Sequence, residues 1–124
     1  MEGPTFIINE SHSARFNGLK EISLAIETDM GEILFVGCSH STVEKIIVES
    51  KQFTKNNIDM VYGGYHLLPY DRAALNDLAQ RLKNELNVKR VAPAHCTGHL
   101  AFKTLKDTYE ENYVFAGLGE IVNF

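Results

Sequence analysis

What most limits the folds open to this chain is an alternation of short apolar runs with amphipathic stretches, repeated three times from Ile33 onward. Ile33-Leu34-Phe35-Val36 is apolar on both faces, and Val43, Ile46, Ile47 and Phe53 follow at helical spacing across residues 41–55. Ile58 to Tyr62 is a second run, closed by Gly63-Gly64; Leu75, Leu78, Leu82 and Leu86 then form one stripe over residues 71–86. Val88 to Ala92 is the third run, stopped by Pro93, and residues 98–110 carry Leu100, Leu105 and Tyr109 as the third helix. The order is βαβαβα. Helical crossovers within one sheet make its strands parallel and the connections right-handed. Parallel strands place their C-terminal ends on one rim, where open α/β sheets bind ligands.

Ahead of this repeat the chain predicts β-structure. Phe6-Ile7-Ile8 is a short apolar run, and residues 9–20 read as loop. Ile22, Leu24 and Ile26 alternate with Ser23, Ala25 and Glu27, the pattern of a strand with one face buried. With a turn at Thr28-Asp29-Met30-Gly31, residues 21–37 form a hairpin leading into the buried strand. Ser41 and Glu44 fit a capping box at the first helix, Asn56-Asn57 ends it, and Pro69-Tyr70-Asp71 opens the second. Thr97 or Gly98 caps the third. Two short apolar runs, Tyr113–Ala116 and Ile121–Val122, close the chain.

One domain is expected from 124 residues. Twelve basic against sixteen acidic residues argue against a nucleic-acid backbone or an anionic membrane as partner. No apolar run approaches the roughly 18–20 residues that span a bilayer, and no signal peptide is expected from the opening residues. Cys38 and Cys96 read as reduced thiols, and the cytoplasm is the expected compartment.

A histidine follows each of the three strand ends: Gly37-Cys38-Ser39-His40, Gly63-Gly64-Tyr65-His66 and Pro93-Ala94-His95-Cys96-Thr97-Gly98. Loops leaving neighbouring strands about 4.8 Å apart can converge on a metal, and neutral imidazole is the commonest protein ligand for zinc. His40, His66 and His95 are therefore the candidate ligands. Imidazole does not choose among zinc, iron and manganese; zinc is expected first. His12 is read as a loop residue, and His99 as structural or supporting. Cys38 and Cys96 adjoin the cluster, either as small residues in tight turns or as thiolates for a soft metal or for nucleophilic chemistry. Ser41 is explained by capping.

At these three motifs the chain resembles the second half of metallo-β-lactamase-fold hydrolases, and within them the branch of dihydropterin ribofuranosylaminobenzene-phosphate synthase-like proteins. The likeness covers roughly residues 20–124. It implies the C-terminal half of an αββα sandwich, with one or two divalent metals at the sheet edges and a metal-bound water activated for hydrolysis. It puts the family's strand-end acid in the Gly37–His40 stretch, where this chain has Cys38 and Ser39, so that either His40 would serve instead or the bridging position is lost. It matches His95 to the final histidine ligand and His66 to the branch motif. The hallmark His-x-His-x-Asp-His loop occurs nowhere in the sequence. The expectation is a single unit, 1–124, that needs a complementary N-terminal half or self-association to cover its sheet, and that is a weak catalyst or inactive alone. Three functions stay open: a metal-dependent hydrolase half acting on a small molecule, a non-catalytic binding or assembly domain, and thiol chemistry through Cys38.

Overall fold

In the computed structural model, residues 4–123 are described. They form five strands and three α-helices: β1 (Thr5–Glu10), β2 (Lys20–Thr28), β3 (Gly31–Val36), α1 (Val43–Thr54), β4 (Ile58–Gly64), α2 (Arg72–Gln80), β5 (Arg90–Ala94) and α3 (His99–Tyr109). A π-helical turn, Arg81–Glu85, extends α2, and a 3₁₀ turn, His95–Thr97, joins β5 to α3. The sheet runs β1-β2-β3-β4-β5 in spatial as in chain order. β1, β2 and β3 pair antiparallel, as tight turns allow; β3, β4 and β5 pair parallel across the helical crossovers. The hairpin followed by βαβαβα is thus the observed architecture.

The three helices cover one face of the sheet. Leu34, Val61 and Val91 meet Ile46, Ile47, Leu75, Leu78, Leu82, Ala101 and Leu105 there in one buried cluster. Leu86 completes the α2 stripe from a half-buried position. On the opposite face Ile33, Met60 and Ala92 pack with Ala116, and Val114 and Val122 join them. The segment after α3 therefore folds back over β4 and β5, tied by Val114 N–H donating to the Val91 carbonyl at 2.8 Å.

Two local expectations are corrected, and the buried face of β2, which alternation leaves open, is resolved. The cap of α1 is Thr42, whose hydroxyl accepts from Lys45 N–H at 3.3 Å. Ser41 instead donates its hydroxyl to Glu21, and Glu44 forms a two-pronged pair with Arg81 of the α2 extension at 2.6 and 3.0 Å. A bidentate guanidinium partner holds that carboxylate better than a distant cap amide. Pro93 does not stop the third strand but lies inside β5, opposite Gly63. An edge strand tolerates a residue without N–H, since one side of its ladder has no strand partner. On β2, finally, the buried face is the small-residue one. Ser23 and Ala25 are covered by the helix layer at 2% and 0% exposure, while Ile22 is 63% exposed. Phe6 and Ile8, both 68% exposed, pair across β1–β2 with Leu24 and Ile22. Small side chains let the helix layer approach, and the large apolar ones line an open face.

Candidate metal centre

β3, β4 and β5 end on the same rim, and the loops leaving them are tied to one another. Ser39 donates its hydroxyl to the Gly64 carbonyl at 2.6 Å, and Gly64 N–H donates to the Gly37 carbonyl at 2.8 Å. Thr97 accepts the Tyr65 N–H at 3.1 Å and donates to the Ala94 carbonyl at 2.7 Å. These bonds hold three backbone segments that no regular ladder could pair. Ser39, His66 and His95 adopt left-handed backbone, with φ of 64°, 50° and 56°. Such conformations cost free energy in non-glycine residues and persist where the surroundings fix them.

Gly64 makes the convergence possible. A methyl group there would lie 2.7 Å from the Gly37 carbonyl oxygen, 2.9 Å from Cys96 Sγ and 3.3 Å from Cys38 Cα. Only a residue without a side chain lets the β3 and β5 loops close over the end of β4.

The three histidines divide into two groups on this rim. His40 and His66 stand edge to face with ring centroids 4.8 Å apart, and Phe16 packs against both, at 4.4 and 5.4 Å. Phe16 comes from the loop between β1 and β2, closed at its base by Ser11 N–H to the Leu19 carbonyl and Gly18 N–H to the Ser11 carbonyl. Glu21 anchors the group from below. Its carboxylate accepts the backbone N–H of His40 at 2.8 Å and of Ser41 at 2.7 Å, and lies 3.2 Å from His40 Nδ1. Burial raises the Glu21 pKa, but these hydrogen bonds outweigh it and leave the carboxyl below its usual range. His66 is pushed below the ordinary imidazole value, by burial first and then by the charges of His40 and Arg15.

His95 belongs to the second group. One ligand atom each from Cys38, His95 and Cys96 lies within 4.8 Å of the others, and among the described residues this is the cluster of three His, Cys, Asp or Glu side chains suited to a cation. Cys96 Sγ donates to the Cys38 carbonyl at 3.3 Å, and both thiols are free. The donor set fits a divalent metal, because two sulfurs and an imidazole suit zinc. The Cys38 thiol is pushed up, by burial and then by Cys96, so it lacks the depressed pKa that a neutral-pH nucleophile needs. His12 is exposed in the β1–β2 loop; His99 opens α3.

Beside His95 lies a cavity of about 1130 Å³, walled by Tyr62, His99, Phe102, Lys106 and Phe115. It opens between α3 and the segment that returns over β5.

Glu21 and Phe16 carry no motif, and sequence reasoning missed them; Thr97 lies in the third motif, but its role is to join the β4 and β5 loops, while Gly98 caps α3. The one trace of Glu21 is a charge at a position that shares its face with Ser23 and Ala25, the inward side of β2.

No family model matches the sequence. Two curated proteins of Methanocaldococcus jannaschii are similar to it. A 7,8-dihydropterin-6-methyl-4-(beta-D-ribofuranosyl)-aminobenzene-5'-phosphate synthase is 32% identical over 105 residues, 84% of this chain and 35% of that protein. An uncharacterized protein is 31% identical over 90 residues, 73% of this chain and 33% of that protein. Among solved structures, Tm1679, a metal-dependent hydrolase of the β-lactamase superfamily, superposes with a TM-score of 0.72 at 30% identity. That match covers 87% of this chain and 43% of Tm1679. The chain thus spans about a third of the curated relatives' length and less than half of the structural neighbour's. In sequence and in fold, this chain matches the C-terminal half of metallo-β-lactamase superfamily proteins.

Proposed function

We propose that the chain is the metal-bearing half of a hydrolase that cleaves an ester, amide or phosphate bond in a small molecule. The observation that carries this reading is the gathering of Cys38, His95 and Cys96 on the rim that also carries His40 and His66, with the cavity alongside. A bound divalent cation, zinc first and iron or manganese after it, supplies Lewis acidity and makes water acidic near neutral pH. The chain's own residues position and exchange protons. Glu21 beside His40 Nδ1 fixes that ring and leaves Nε2 to accept or return a proton. His66, held toward its neutral form, takes protons in the same way. Tyr62, Phe102 and Phe115 give a substrate apolar surface, and Lys106 offers a positive charge to an anionic group.

The reading includes a complementary layer. Phe6, Ile8 and Ile22 leave an apolar sheet face open, and the similar proteins are more than twice as long as the stretch they share with this chain. A second sheet packed on that face would cover it. The same open face favours an alternative, an assembly domain without turnover.

Turnover of a panel of aryl esters and aryl phosphates, with and without chelator, separates the two. Hydrolysis that chelation abolishes, that zinc restores and that His95→Ala reduces at least about tenfold supports the hydrolase. A metal-loaded chain without chelator-sensitive turnover, alone or with the complementary half added, leaves the assembly domain.

A further inference from the structure

We infer that the metal seat of this chain is made of Cys38, His95 and Cys96, a thiolate–imidazole set, with His40 and His66 outside the coordination sphere. The inference rests on the metal reading above and names the ligands and the metal class that it leaves open. Cys38 enters from the end of β3, and His95 and Cys96 from the end of β5, with β4 between them. Across a strand, two sulfurs meet only if the intervening residue has no side chain, and Gly64 is that residue. The Cys96 thiol is already turned toward the Cys38 backbone. In tetrahedral coordination with Zn–S bonds of about 2.3 Å, ligand atoms stand roughly 3.5–4 Å apart. From a spread of up to 4.8 Å, small side-chain rotations close the set.

Charge favours the same assignment. Two thiolates and a neutral imidazole cancel the charge of a divalent cation, whereas three imidazoles would leave it uncompensated at a partly covered rim. On binding, both sulfurs give up their protons to solvent as the two metal–sulfur bonds form. Soft sulfur ligands select zinc, cobalt or cadmium over manganese and magnesium. Three protein ligands leave a fourth position open, the arrangement of catalytic rather than structural zinc. His95 is exposed and lines the cavity, so the open position adjoins the space for a substrate. His40 is otherwise engaged, its ring packed on Phe16 and His66 and its Nδ1 beside Glu21.

Cobalt(II) reads the ligand set directly. Anaerobic titration of the reduced chain should saturate at one equivalent with a near-ultraviolet sulfur-to-cobalt charge-transfer band, and zinc should displace it. Cys38→Ser and Cys96→Ser should each remove about half of that band, the double variant all of it, and His95→Ala should weaken binding at least about tenfold. His40→Ala and His66→Ala should leave the band intact. Cadmium-113 NMR of the unsubstituted chain should give a shift in the two-thiolate range, which guards against variants that fail to fold. Cobalt bound without the thiolate band, a band that survives the double variant, a cadmium shift outside that range, or no binding overturns the assignment. Chelator-sensitive hydrolysis without a thiolate band would overturn the ligand set alone and leave the hydrolase standing.

Discussion

Glu21 holds the His40 side of the rim through three hydrogen bonds, two of them to backbone N–H groups. Its carboxyl is lowered from the ordinary 4.5, so its stabilising effect is present above that value and is lost as pH falls through the folded value. Glu21→Gln should therefore be less stable than the parent at pH 7, with the gap narrowing below about pH 4.5. Denaturant unfolding at several pH values measures it. A gap independent of pH would mean that the ionised carboxylate contributes nothing. For His66, the imidazole titration followed by NMR should have its midpoint below 6.5 and move upward in His40→Ala, which removes a neighbouring charge and opens the site. At this scale the sequence showed the candidate ligands and not their supports. Three histidines and two cysteines beside strand ends stand out because few residue types bind metal. Glu21 and Thr97 are ordinary residues whose roles come from contacts 19 to 32 positions away.

The elements themselves were nearly all legible, because the 3.6-residue stripes of α1 and α2 and the apolar runs of β3 and β4 are local signals. The cap of α1 was not, since Ser41, Thr42 and Glu44 compete for the same roles and distant partners, Glu21 and Arg81, decide among them. Thr42→Ala should cost about 1 kcal/mol through loss of the cap, and Ser41→Ala should show its effect at the rim rather than in α1. Thr97→Val removes the hydroxyl that joins the β4 and β5 loops. It leaves the buried Tyr65 N–H without its acceptor, at a cost of about 1–3 kcal/mol in thermal or denaturant unfolding. Gly64→Ala drives a methyl group into the Gly37 carbonyl and Cys96. It should destabilise the chain by about 1–3 kcal/mol and weaken metal uptake, whereas Gly18→Ala, with nothing nearby, should cost only its backbone strain.

For the molecule as a whole, the orientation of β2 mattered most and was least readable. Alternation identifies two faces and does not say which one the helices choose. The choice followed from size, with Ser23 and Ala25 taking the crowded side. The open face carries Phe6, Ile8 and Ile22, so the chain by itself should bind an apolar dye and associate as its concentration rises. Ile8→Ser with Ile22→Ser, which face each other across β1 and β2, should reduce both effects in sedimentation and dye titration. Because neither residue is in the core, unfolding stability should change by no more than about 0.5 kcal/mol per site. Unchanged association would mean that another surface is responsible.

The bonds from Ser39 to Gly64 and from Tyr65 to Thr97 have a consequence for assembly. They fasten the three loop tips to each other, and Glu21 of β2 adds a further tie from within the same chain. Whatever docks on the open side of β1 and β2 therefore finds the corner that carries Cys38, His95 and Cys96 already shaped, and it can bring its own contacts without having to organise that corner.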